Sequence, residues 1–238
     1  MSEVRNGVRN IGFSVLTDVS EERGRIVQVE KGVLSRNQQL ADENRTRFRE
    51  NGLLVLNVLA SPGSGKTTLL ARTFSDLEGL RAGVIVGDLA TDNDAERLRA
   101  SGAETVQITT GGVCHLEAAM IARAAPMLEL AALDLLAIEN VGNLVCPAAY
   151  DLGEDLRVVL LSVTEGEDKP LKYPKIFKSA DLVAITKIDL AAAVAFDRAR
   201  TLENIHLITP AAQVLEVSAL SGEGMEEWYR YLGEHLGS

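Results

Sequence analysis

Apolar positions in this chain fall into short, nearly continuous runs separated by longer stretches in which they recur every three or four residues. The runs at residues 53–60 (LLVLNVLA), 82–88, 105–108, 133–139, 157–163, 182–186 and 214–217 predict strands. Between them, periodic patterns predict helices over 66–77, 92–100 and 116–129, within 190–204, and over 225–236. In the last helix Met225, Trp228, Tyr229 and Leu232 fall on one side and are expected in the core. Ahead of the first strand, residues 33–51 form a further helical pattern. Its apolar stripe holds Val33, Leu40, Ala41, Asn44 and Phe48, and Gly52 stands where a helix ends. Residues 1–32 are poorly patterned, apart from a candidate strand at 26–29 (IVQV). Buried strands alternating with helices imply an α/β fold, a mostly parallel sheet covered by helices on both faces. The domain is expected to span 33–238, with 33–51 as an N-terminal flanking helix.

Composition narrows the function. The 238 residues carry a formal charge of −10, and residues 1–50 hold nine Lys/Arg against eight Asp/Glu, so the acidic excess lies in the domain. No basic stripe tracks a phosphate backbone, which argues against nucleic acid. No run reaches the roughly 18 apolar residues of a membrane span. The first ten residues lack the apolar segment of a secretion signal. Two cysteines exclude a disulfide framework and suit a reducing compartment, so a cytoplasmic location is expected.

The first strand leads into Ser61-Pro62-Gly63-Ser64-Gly65-Lys66-Thr67-Thr68, a strand–glycine–helix phosphate loop. Gly63 and Gly65 permit the backbone to turn its N–H groups inward around phosphate oxygens, with Ser64 between them. Lys66 is expected on the β/γ-phosphates, Thr67 on Mg²⁺, and Thr68 in the first helical turn. The usual pattern has a glycine where this chain has Ala60.

Thr186-Lys187-Ile188-Asp189 follows a strand and resembles the Asn-Lys-x-Asp base-reading element of guanine-specific GTPases, with Thr for Asn. The Asp189 carboxylate suits the two donors of guanine, and Lys187 covers the ring. Ser218 and Ala219 open a second base-contacting loop. Together these favour GTP over ATP. Glu139, in Glu139-Asn140-Val141-Gly142, resembles a switch whose carboxylate holds Mg²⁺ and whose glycine, Gly142, meets the γ-phosphate. Asp88 ends another strand and is a candidate first switch and Mg²⁺ partner, with Lys66, Asp88 and Glu139 as the catalytic set. Asp92 and Asp94 read equally as switch residues or as the cap and first-turn charge of a helix.

Both cysteines, Cys114 and Cys146, and one of three histidines, His115, fall in strand-following loops. Thiolate and imidazole are the ligand set of Ni²⁺ or Zn²⁺. Buried structural cysteines are the competing reading, and spacing alone leaves both open.

GDLATDNDAERL (87–98), GGVCHLEA (111–118), IENVGNLVCPAAYDLGE (138–154), SVTEGEDKPLKYPKIF (162–177), TKIDL (186–190) and SALSGEGMEEW (218–228), with the phosphate loop, resemble the HypB family of hydrogenase nickel-incorporation GTPases over about 33–236. The resemblance implies a SIMIBI-type G domain and a homodimeric GTPase that receives or passes nickel; with no obvious arginine finger beside the loops, slow hydrolysis of GTP is expected. It also implies metal binding by Cys114, His115 and Cys146 at the dimer interface. The expected partners are a nickel-delivery accessory protein and the hydrogenase large subunit. No Cys or His precedes Cys114, so the N-terminal metal tract of many members is missing from this sequence. The urease accessory GTPase is the nearest alternative, but it uses Cys-Pro-His where Cys114 and His115 are adjacent. Lys169 and Lys172 are candidates to reach across a dimer, or simply a solvated charged loop.

Overall fold

The computed structural model describes the backbone of residues 16–88 and 93–237, and side chains from residue 32 onward except that of Asp88. Contacts divide the chain into two units, 1–36 and 37–238. The described part of the first unit is helical. Here the strand expected at 26–29 is overturned, since these residues lie within α1 (Leu16–Glu50). The run IVQV is flanked by Glu21, Glu22, Arg23 and Arg25 before it and by Glu30 and Lys31 after it, and a weak local strand preference yields to that context.

The second unit is built on seven strands. They are β1 (Leu54–Ala60), β2 (Ala82–Asp88), β3 (Glu104–Thr109), β4 (Leu135–Glu139), β5 (Leu156–Ser162), β6 (Leu182–Thr186) and β7 (Gln213–Val217). Their order is β3-β2-β4-β1-β5-β6-β7, and every pairing is parallel. The helices are α2 (Lys66–Asp76), α3 (Asn93–Ala100), α4 (Ala118–Ala124), α5 (Lys169–Lys172), α6 (Pro174–Lys178), α7 (Arg198–Ile208) and α8 (Met225–His235).

Alternation along β1 sorts the core onto two faces. Leu54, Leu56 and Val58 pack with Leu69 and Phe74 of α2, Leu98 of α3 and Trp228 of α8. Val55 packs on the other face with Phe48 of α1 and Ile121 of α4, and Leu59 with Phe177 of α6 and Ile205 of α7. Helix α1 stops at a glycine turn. Gly52 (φ +68) donates its N–H to the Arg49 carbonyl and Leu53 to the Phe48 carbonyl, and Leu53 and Phe48 pack together.

Several boundaries move. The helix expected over 116–129 shortens to α4 and a 3-10 turn at Ala125–Met127, because Pro126 lacks an N–H. The helix expected within 190–204 begins at Arg198, where the Asp197 carboxylate accepts the Arg200 N–H, and runs on to Ile208. The short helices α5 and α6 lie in a stretch for which periodicity predicts nothing. In α8 it is Tyr231 that is buried beside Met225, Trp228 and Leu232, while Tyr229 reaches the surface and donates its hydroxyl to Asp76. Val33 is exposed, whereas Asn37, Ala41, Asn44 and Phe48 are buried.

Candidate functional site

In a parallel sheet every strand ends on the same edge, and ligand sites form in the loops leaving it. The phosphate loop follows β1, the Cys114 loop β3, Glu139 to Cys146 β4, the Lys169 stretch β5, the Lys187 loop β6 and the Ser218 loop β7, so all of these leave the sheet on this edge.

After β1 the chain turns through Gly63 (φ +74) and Gly65 (φ +99) into α2. The first N–H groups of α2 have no partner within the helix and face outward with its positive dipole end. Ala60 lies in the strand, fully buried, paired with Leu160, and is not among the positive-φ positions. Its departure from glycine therefore costs no backbone strain. Ser64 Oγ lies 2.9 Å from both the Ser61 carbonyl and Glu165 Oε2. Glu165 Oε1 is in turn 3.5 Å from Lys169 Nζ.

The Thr67 hydroxyl donates to Glu139 Oε1 at 2.7 Å. Glu139 Oε2 is buried with no hydrogen-bond partner, an arrangement with room for a further cationic contact. Burial raises the Glu139 carboxyl from its ordinary 4.5 to about 7, against the opposing pull of Lys66 and the Thr67 hydroxyl. Arg97 donates to the Thr68 hydroxyl at 3.0 Å. Asp88 ends β2 on the same edge, but its side chain, and residue Asp92, lie outside the described residues. Asp94 stands in the first turn of α3, 3.9 Å from Arg97, as a helix-end charge would.

A cleft of about 310 Å³ opens beside the phosphate loop, lined by residues that include Gly65, Thr68, Lys187, Asp189, Ser218 and Ala219. Lys187 takes a left-handed conformation (φ 59) that carries its stem across Gly65, and its Nζ donates to the Gly63 carbonyl at 2.6 Å. The Thr186 hydroxyl donates to the Ser64 carbonyl at 2.7 Å. Ser218 Oγ accepts the Ser221 N–H at 3.0 Å and holds the second loop closed.

Cys114, His115 and Cys146 come together although 31 residues separate the two loops. Their donor atoms all lie within 4.8 Å of one another. The sulfurs are 2.9 Å apart, and His115 Nδ1 is 3.8 Å from Cys114 Sγ. The nearby Cys146 sulfur, aided by burial, holds the Cys114 thiol above its ordinary range. Burial lowers the His115 imidazole, so it is held neutral, the form that ligates. Its Nε2 is 3.6 Å from Glu117, and its ring lies on Tyr150 with centroids 4.1 Å apart.

Sequence reasoning set Gly142 at the γ-phosphate but left two features unread, the surface Gly142 packs on and the role of Asn57. Gly142 lies against the phosphate loop, where a Cβ would sit 2.9 Å from Pro62 Cα. The segment from Glu139 to Cys146 is thereby braced on the nucleotide loop. The second is Asn57, a fully buried amide in the middle of β1, whose only signal is one polar letter in an apolar run. Of the lysines, Lys169 lies 3.5 Å from Ser61 Oγ at the phosphate loop, while Lys172 pairs with Asp168 on the surface. No helix among the described residues is long and apolar enough to cross a membrane.

The model of the CobW/HypB/UreG nucleotide-binding domain matches residues 54–216. The chain is 52% identical over 215 residues to a hydrogenase maturation factor HypB of Rhizobium leguminosarum bv. viciae, covering 90% of this chain and 71% of that one. Among solved structures, HypB of Helicobacter pylori in complex with nickel superposes with a TM-score of 0.80 at 43% identity, over 84% of this chain and 94% of that one. At the level of fold alone, the signal recognition particle 54 kDa protein of Aeropyrum pernix aligns with a TM-score of 0.53 at 16% identity, covering 70% of this chain and 41% of that one. The fold is that of the SIMIBI class of P-loop GTPases.

Proposed function

The chain belongs to the CobW/HypB/UreG family, and within it to the HypB hydrogenase maturation factors; from that premise we propose that it is a GTP-hydrolysing nickel metallochaperone serving NiFe-hydrogenase maturation. The observation that carries the reading is the segment Glu139 to Cys146. It begins at the carboxylate bonded to the phosphate-loop Thr67 and ends at a thiol 2.9 Å from Cys114.

GTP is the nucleotide on this reading, its base between Lys187 and the Ser218–Ala219 loop and its N1–H and exocyclic amino group on Asp189. Phosphates lie on the N–H groups of residues 63–68 and on Lys66. Mg²⁺ fits the hard oxygens of Thr67 and Glu139, with Asp88 as a third candidate, and supplies charge neutralisation when bound. Lys66 binds the β/γ-phosphates, and the switch residues orient the water that displaces phosphate from GTP. Turnover is slow on this reading, since Arg97, which reaches the phosphate loop from α3, is engaged with the Thr68 hydroxyl rather than free for the phosphates.

The cargo site is Cys114, His115 and Cys146. Two thiols and an imidazole suit Ni²⁺, and Zn²⁺ equally. Three donors leave a position open, which a second copy of the chain fills in a two-fold dimer, the domain unit being residues 33–238. GTP favours the dimer and the closed cargo site, and hydrolysis releases nickel to an accessory protein or the hydrogenase large subunit.

Nickel titration of the wild type with GDP and with a non-hydrolysable GTP analogue, read alongside molecular mass, tests this. The expected result is dimer and tighter nickel binding with the analogue, and loss of that binding in Cys146→Ala. Identical nickel affinity and mass in both nucleotide states would overturn the coupling. Absence of phosphate release from GTP would reduce the protein to a nucleotide-gated adaptor.

A further inference from the structure

Asn57 is the only polar residue of β1, and it has no exposure to solvent. Its amide nitrogen donates to Glu154 Oε1 at 3.1 Å, and its amide oxygen accepts from Asn140 Nδ2 at 3.2 Å. From this pair two arms run outward. Along one, Asn140 Oδ1 accepts the Leu116 N–H at 3.2 Å, directly after His115 in the chain. Along the other, Arg157 binds Glu154 Oε1 through Nε at 2.6 Å and donates from Nη2 to the Tyr150 carbonyl at 2.7 Å. The Tyr150 ring lies on His115. Glu154 Oε2 accepts the Leu152 N–H at 2.7 Å, so the carboxylate is bonded on both oxygens.

Burying two amides and a carboxylate, with a part-buried guanidinium beside them, is costly where hydrophobic residues would serve. A buried network in which every member is bonded returns a fixed geometry instead. Here both ends of the network converge on one imidazole. One end also begins at the residue following Glu139, the carboxylate that contacts the phosphate loop.

We propose that Asn140 and Arg157, joined through Asn57 and Glu154, are positioning residues for His115: one arm fixes the backbone beyond it and the other fixes the ring against which it lies. The inference rests on the reading of Cys114, His115 and Cys146 as the nickel site, and adds the residues that orient the imidazole within it. Partners that orient a ligating histidine typically govern metal affinity by about 10- to 100-fold.

The test uses the full chain, Ni²⁺ alone as probe, and the variants Arg157→Lys and Asn140→Ala. Arg157→Lys keeps a charge beside Glu154 and loses the fork that reaches Tyr150. Nickel affinity is measured by chelator competition, and the His115 side-chain nitrogens by NMR in metal-free protein. The expected result is a nickel affinity about 10-fold weaker, a shifted His115 resonance, and, for Arg157→Lys, GDP affinity within about twofold of wild type, since Arg157 is not among the residues lining the nucleotide cleft. If Asn140→Ala fails to fold, Arg157→Lys and Glu154→Gln carry the test. A variant that melts as the wild type does and leaves either nickel affinity or the His115 resonance unchanged overturns the proposal. Full nickel binding by Cys146→Ala would instead overturn the metal reading. The metal-free His115 resonance still decides the positioning role in that case.

Discussion

The Thr186 hydroxyl donates to the Ser64 carbonyl oxygen across 2.7 Å and ties the loop that carries Lys187 and Asp189 to the phosphate loop. Thr186 stands where guanine-specific GTPases usually carry Asn, and both residues are buried here. A hydroxyl at the end of β6 thus reaches the phosphate-loop backbone without an amide. Thr186→Val, which keeps shape and removes the donor, is expected to weaken GDP binding about 5- to 10-fold, the equivalent of one buried hydrogen bond. Thr186→Ser should stay within about twofold. Calorimetric titration with GDP checks both, and equal affinity of Thr186→Val and wild type would show that the tether is idle.

Gly142 predicts a sharper effect from a single methyl. A Cβ there would meet Pro62 Cα at 2.9 Å and Pro62 N at 3.0 Å, both backbone atoms that cannot rotate away. Gly142→Ala must push the segment carrying Cys146 off the phosphate loop. Overpacking of this kind costs about 1–3 kcal/mol, so GDP affinity is expected to fall about tenfold or more while the fold persists. Circular dichroism and nucleotide titration on one sample separate the two, and wild-type nucleotide affinity would contradict the bracing role.

The sheet was legible in the sequence because parallel strands buried on both faces read as apolar runs, and all seven fall where those runs lie. The helices were legible where a face is amphipathic, as in α2, and not where context decides. Residues 26–29 read as strand from β-branched letters and are helical. Asp189, Lys187 and the three metal-type ligands announced themselves by chemistry and order. Nothing in local pattern reports that loops 31 residues apart bring two sulfurs within 2.9 Å. Asn57, and the packing of Gly142 on Pro62, stayed silent because both are contacts made across the fold.

Asn44 is expected to be a stability residue that also holds the loops flanking the cysteines. Its buried amide donates to the Ala118 carbonyl at 3.0 Å and to the Leu152 carbonyl at 3.1 Å, one beyond Cys114 and the other beyond Cys146. Asn44→Leu leaves both carbonyls short of a donor in an enclosed site. The expected loss is about 2 kcal/mol, or a melting point lower by roughly 4–8 °C for a domain of this size. A thermal scan checks it, and an unchanged melting point would mean that water replaces the amide.

Glu139 predicts how stability depends on pH in protein free of nucleotide and metal. Its carboxyl titrates near 4.5 when unfolded and at about 7 when folded, because burial disfavours the charge more than Lys66 and Thr67 restore it. Between those values the folded state holds a proton that the unfolded state has released. Stability from this group is therefore present below pH 4.5 and is lost as pH rises to about 7, with no further change above. Each unit corresponds to about 1.4 kcal/mol, so the full span is on the order of 3 kcal/mol. Asp151 acts in the opposite sense and in a different window. Burial raises its carboxyl, but hydrogen bonds from Arg45, Gln38 and the Gly153 N–H outweigh that and hold it at about 2, so its contribution is lost only as pH falls below 3.8. Glu139→Gln removes the first slope and leaves the second. Urea midpoints for both proteins at intervals from pH 4.5 to 8 should show the variant gaining steadily on wild type up to about pH 7, after which the two curves run parallel. A constant offset across the range would mean that the buried carboxyl ionises as it does in water. The same proton explains why Mg²⁺ and nucleotide should bind with proton release below pH 7, a quantity that calorimetry in two buffers of different ionisation enthalpy reads directly.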